Sequence, residues 1–144
     1  MLNELIAKAR ININVPIKKV WEALVNPALI KQYMFGTNVA SKWKKGSAIT
    51  WQGEWEGKKY EDKGTILLVK KENKLQYTHF SPLSGKPDIP ENYNTVTVET
   101  FPYREGTSVI ISQDNNPTEE AKLHSEKNWR FVLEGMKKML EQKE

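Results

Sequence analysis

From Thr37 to Gln113 the chain alternates apolar and polar residues in short runs, cut by turn signals at Lys45-Gly46, Glu56-Gly57, Glu72-Asn73 and Glu105-Gly106. A long helical segment follows at once. Period-2 alternation puts one face of each strand in the core and the other in water, so a meander of such strands has an apolar face that something must cover. The candidate strands are Thr37 to Trp43, Ser47 to Trp55, Tyr60 to Lys70, Leu75 to Phe80, Asn94 to Phe101 and Thr107 to Gln113. The cover is announced by Asn116-Pro117-Thr118-Glu119, in which Asn116 can cap a helix, Pro117 take its first position and Glu119 reach back. That helix is expected to run to Gln142, roughly 39 Å at 1.5 Å per residue. Its apolar stripe is Trp129, Val132, Met136 and Leu140, with exposed pairs Glu126/Arg130 and Glu134/Lys138.

Ahead of the meander, Ile11, Ile13 and Val15 alternate with asparagines in Ala7 to Val15, which predicts a first strand. Pro16 opens a short helix with the stripe Ile17, Val20, Trp21 and Leu24. Asn26-Pro27 breaks it and caps a second, carrying Leu29, Ile30, Tyr33 and Met34 and ending near Gly36. No repeat or linker interrupts the pattern, so residues 1–144 are expected to form a single domain.

Composition removes several chemistries. With no cysteine, disulfides, thiolate catalysis and cysteine-bound metals are excluded. Only two histidines are present, in no metal-ligating spacing, so no metal or other cofactor is expected. No segment approaches the ~18 apolar residues of a membrane span, and the N-terminus mixes charges among its apolar residues. The 22 basic and 18 acidic residues are dispersed along the chain. The expectation is a soluble, cytoplasmic protein, monomer or homodimer, with no nucleic-acid partner; the basic-aromatic turn Lys42 to Gly46 is too short for a strand-binding groove.

The string VPIKKVWEALVNPALIKQYMFG, Val15 to Gly36, resembles the heat-shock-protein-90 ATPase activator homologue group within the START and birch-pollen-allergen (SRPBCC) superfamily. KKGSAITW, Lys44 to Trp51, and NTVTVETFPYREGTSVIIS, Asn94 to Ser112, resemble that group's hairpins. The chain differs from many relatives in having His79 where they carry Trp, and Gln113 where they carry His. The resemblance implies an α+β helix-grip fold: a curved antiparallel sheet of about seven strands, with two short helices after the first, wrapped around the long C-terminal helix. It also implies a cavity between sheet and helix that in relatives takes apolar or amphipathic molecules. The superfamily's functions differ widely, so the fold does not settle this chain's function.

Two tryptophans, Trp51 and Trp55, share one face of a strand with Gly53 between them. They either pack against the long helix or line a chamber that Gly53 leaves open. Leu75, Tyr77 and His79 share a second such face, where a phenol and an imidazole need partners if buried. Glu54, Glu61, Asp62 and Glu99 are expected on the solvated face, turning inward only if the register slips by one. The loop Ser81 to Asn92, with three prolines, is either a lid or a stiffened surface loop.

These readings converge on a binding domain rather than an enzyme, with no catalytic residue singled out. An apolar or amphipathic small molecule is expected to lie against Trp51, Trp55, Tyr77, His79, Gln113, Trp129 and Met136, with Tyr33 and Phe35 near the mouth. The alternatives are a chaperone-interaction module, and a cyclase- or hydrolase-type enzyme using Tyr77 and His79 as acid and base.

Overall fold

A computed structural model describes residues 5–142, apart from the side chain of Trp55. The alternating runs become β1 (Ala7–Ile13), β2 (Asn38–Ser41), β3 (Ala48–Trp55), β4 (Lys58–Lys70), β5 (Lys74–His79), β6 (Asn94–Tyr103) and β7 (Gly106–Gln113). Between β1 and β2 lie α1 (Ile17–Val25) and α2 (Pro27–Tyr33), and the chain closes with α3 (Glu119–Glu141). All seven strands join one antiparallel sheet in the order β1-β7-β6-β5-β4-β3-β2. The sheet curves around α3, the α+β helix-grip architecture. The inward face of the strands supplies Ala9, Ile13, Ile49, Leu75, Val96, Val98, Val109 and Ile111 to a core completed by Val132, Leu133 and Met136 of α3. Trp43, in the basic-aromatic turn, packs against that core rather than serving as a stacking platform.

Helix α3 also closes an open edge. In β1 only one side is paired, to β7, which leaves alternate backbone groups free to recruit another strand. The Glu126 carboxylate accepts the Lys8 N–H at 2.9 Å, Glu141 accepts that of Asn14 at 2.7 Å, and Lys137 donates to the Asn12 carbonyl at 2.7 Å. Helix and strand run in the same direction here. From Lys8 to Asn14 a strand advances roughly 20 Å, and from Glu126 to Glu141 a helix advances roughly 22 Å, so the contacts stay in step.

Three local expectations change. Pro16 stands at the N-cap of α1, one residue before the first helical position. Asn116 does not cap α3: the Thr118 side chain does, accepting the Ala121 N–H at 3.0 Å. Asn116 is buried and ties the N-terminal segment to the sheet, donating to the carbonyls of Leu5 at 2.9 Å and Gln113 at 3.0 Å. A buried amide with its partners in place outweighs a cap that Thr118 can supply as well. The α3 surface carries the ion pairs Lys122–Glu119 and Lys137–Glu141, and Glu126, expected to pair with Arg130, is turned to β1 instead.

The β3–β4 hairpin matters most for the site. Glu56 and Gly57 both have positive φ, 50° and 82°, so they form a two-residue turn that pairs Trp55 with Lys58. β4 therefore starts before Tyr60, and the register pairs Gly53 with Tyr60 and Trp51 with Asp62. Directly paired residues share a face. Asp62 thus points inward with the tryptophan, against the sequence expectation, while Glu54 and Glu61 stay outward and exposed or nearly so.

Candidate functional site

Beneath α3 the sheet encloses two spaces of different character. The inner one, about 40 Å³, is bordered by Tyr33, Val39, Ile49, Val132 and Met136 and is in effect filled core. The outer one holds about 440 Å³ and opens beside Met34, Ser81 and Leu83. Its walls carry Trp51 from β3, Tyr60 and Asp62 from β4, Tyr77 and His79 from β5, Val96 from β6, Gln113 from β7 and Trp129 from α3.

Trp51 is the hinge of the aromatic wall. Its ring meets Tyr77 at 5.2 Å with a 47° tilt and His79 edge-on at 5.0 Å and 67°. His79 Nε2 and Asp62 Oδ2 are hydrogen-bonded at 2.8 Å. The other oxygen, Asp62 Oδ1, is shielded from water and has no hydrogen-bond partner among the described residues. Gly53 does not leave a chamber: the Tyr60 ring lies over it, and an added Cβ would meet Tyr60 Cζ at 2.7 Å. Only glycine admits that ring, whose hydroxyl is held by the Thr37 hydroxyl at 2.7 Å. Across the cavity the Trp129 indole N–H donates to Gln113 Oε1 at 2.8 Å. Gln113 thus orients an aromatic of α3.

Burial pushes the Tyr77 phenol far above its ordinary value, and its hydroxyl has no hydrogen-bond partner among the described residues. Tyr33 is displaced further in the same direction, by burial first and then by nearby Tyr77. Its hydroxyl donates to the Ala23 carbonyl at 2.7 Å, an otherwise orphaned acceptor in the last turn of α1.

Of the residues expected to meet a ligand, Trp51, Tyr77, His79, Gln113 and Trp129 come together around the outer cavity. Met136 and Tyr33 border the inner space instead, so Tyr33 is core and not mouth. Phe35 stands outside the cavity, 65% exposed, stacked at 5.5 Å on Phe131 of α3, because its positive φ of 57° turns the chain away after α2. Trp55 closes β3, and its side chain lies outside the described residues. Tyr60 and Asp62 are among the lining residues not expected there from the sequence. The signal was the Glu56-Gly57 pair: read as a two-residue turn, it fixes Asp62 opposite Trp51.

The proline-bearing loop holds two single-turn 3₁₀ segments, Pro82–Ser84 and Pro90–Asn92. Asp88 anchors it, ion-paired to Lys63 and accepting the Tyr93 hydroxyl at 2.6 Å. Tyr93 in turn stacks on buried Phe80 at 5.0 Å. This pins the loop so that Leu83 stands at the cavity rim.

Chemically, Asp62 and His79 form an oriented acid–base pair, and no side-chain hydroxyl is hydrogen-bonded to His79 among the described residues. No group of three metal-ligating side chains occurs among the described residues. None of the described helices is long and apolar enough to cross a membrane.

Solved structures with this architecture are numerous. ChR145 from Cytophaga hutchinsonii is 59% identical, with a TM-score of 0.86 over 98% of this chain and 97% of its own. Two more distant ones share the fold: the Aha1 dimer from Colwellia psychrerythraea, 17% identical with a TM-score of 0.72 over 94% and 96% of the two chains, and CalU16 from Micromonospora echinospora, 17% identical with a TM-score of 0.72 over 92% and 73%. No curated protein matches the sequence. The family model for activator of Hsp90 ATPase homolog 1-like protein matches residues 14–141. With that match spanning nearly the whole chain, this protein belongs to the activator of Hsp90 ATPase homolog 1-like family.

Proposed function

We propose that the protein binds a small amphipathic molecule in the outer cavity, its apolar body against Trp51, Tyr77 and Trp129 and its polar end toward Asp62, His79 and the Tyr77 hydroxyl. The observation that carries this reading is the 440 Å³ volume, within the ~300–1,000 Å³ of small-molecule sites, walled by aromatics with a few convergent polar groups. Apolar burial would supply affinity and the polar groups orientation. The absence of cysteine suits a reducing compartment, and this reading sets the protein in the cytoplasm.

Native mass spectrometry of gently purified protein, with tryptophan quenching across a panel of lipids and aromatics, tests the reading. A bound species or saturable quenching is expected, weakened about tenfold or more in Trp51→Ala as an aromatic anchor is lost. No adduct and no quenching would overturn it.

Family membership supports a second reading, a chaperone-interaction module, to which the exposed Phe35–Phe131 stack offers an apolar contact. It predicts that the protein stimulates the ATPase of the cognate chaperone and that Phe131→Ala abolishes the stimulation. Neither stimulation nor pull-down would remove it.

A further inference from the structure

We infer that the outer cavity selects by charge: it takes neutral or cationic amphiphiles whose polar end donates a hydrogen bond, and rejects anionic ones such as carboxylates. This rests on the cavity reading above and names the class of ligand for that same site.

The charge inventory of the wall carries the inference. Among the described lining residues there is one carboxylate, Asp62, one imidazole, His79, and no lysine or arginine. The nearest lysine in sequence, Lys63, belongs to the opposite face of β4 and is spent on Asp88. The His79 ring nitrogen Nε2 is already engaged by Asp62 at 2.8 Å, so the wall holds no cation free of a carboxylate. An anionic ligand would give up its water and find no compensating cation.

Asp62 also has unused capacity. A carboxylate offers about four acceptor positions. Here Oδ2 meets His79, while Oδ1 is buried with no hydrogen-bond partner among the described residues. A ligand N–H or O–H, or an ammonium, reaching this carboxylate would form a charge-assisted hydrogen bond in a partly desolvated place, where such bonds are strongest. The neutral polar groups of the wall, among them the Tyr77 and Ser81 hydroxyls and the amides of Asn94 and Gln113, can serve either kind of ligand, so the discrimination falls to Asp62.

Four probes with one apolar body separate the cases: para-butylphenol, para-butylbenzylamine, para-butylbenzoate and headless butylbenzene, titrated by tryptophan quenching and calorimetry. The phenol and the amine should bind about tenfold or more tighter than the benzoate, the scale of one hydrogen bond to a charged group. They should also bind tighter than butylbenzene. In Asp62→Asn, which keeps the shape and removes the charge, the amine's advantage over the benzoate should collapse to within about threefold. Benzoate binding as tightly as phenol and amine in the unaltered protein would overturn this inference while leaving the cavity reading intact. Butylbenzene binding as well as the phenol would overturn the donor requirement. Binding of none of the four would overturn the cavity reading and this inference with it. The unaltered protein decides among these outcomes even if Asp62→Asn fails to fold.

Discussion

Tyr33 and Tyr77 are the same side chain at nearly the same burial, 7% and 8% exposed, and both border the inner space, yet of the two Tyr77 alone also reaches the outer cavity. Tyr33 borders the filled inner core and gives its hydroxyl to the Ala23 carbonyl. Tyr77 stands between the inner space and the outer cavity, and its hydroxyl has no hydrogen-bond partner among the described residues. A buried polar group that is satisfied is explained by the fold, whereas one left open at a cavity wall is explained by what could enter. The contrast separates a structural half of the under-helix space from a half available to a ligand.

The largest effect that would test this division comes from the filled half. Met136→Ala should destabilise by about 2–5 kcal/mol in denaturant unfolding, because its neighbours leave almost no room to relax. Next is the tyrosine pair itself. Tyr33→Phe strands the Ala23 carbonyl and should cost about 1–3 kcal/mol, whereas Tyr77→Phe removes a hydroxyl that pairs with nothing and should stay within about 0.5 kcal/mol of the parent. Equal losses at the two sites would break the comparison.

Alkaline titration sharpens it at a smaller scale. Both phenols are pushed above the ordinary value by burial, so each favours the fold fully below pH ~10, and that stability declines as pH rises beyond it and the unfolded chain ionises. Ultraviolet titration should show both phenols ionising only together with unfolding; ionisation of either in the folded protein would show its site to be wetter than the structure has it.

The smallest effect concerns the rim. Hydrogen bonds from Lys63 and then Tyr93 hold the Asp88 carboxyl below its ordinary value. A lowered carboxyl favours the fold above its unfolded value and loses that contribution as pH falls through the folded one. Protection factors for amide exchange in the loop from Ser81 to Asn92, taken relative to the intrinsic rate at each pH, should therefore fall in acid while those of the sheet hold, and Asp88→Asn should lower them at neutral pH too.

Much of this architecture was legible beforehand because its signals are local. Leu75, Tyr77 and His79 share an inward face by alternation alone, and Asn26-Pro27 breaks and caps helices by its own chemistry. Errors arose where one local signal was outweighed by a distant partner. Asn116 is a good cap in isolation, but Leu5 and Gln113 hold it in the core while Thr118 does the capping. Gly53 reads as an empty place until Tyr60 is paired across from it.

By itself the sequence determined the order of elements, the inward face of most strands and the need for a helix to cover them, since periodicity and turn chemistry act over a few residues. Tertiary structure decided that the space beneath α3 divides in two, that Asp62 meets His79 inside it, and that Tyr33 is satisfied while Tyr77 is not. The physical reason is that cavity shape and hydrogen-bond partnership depend on which residues from separate strands and helices arrive at one place, and only the register of the folded sheet sets that.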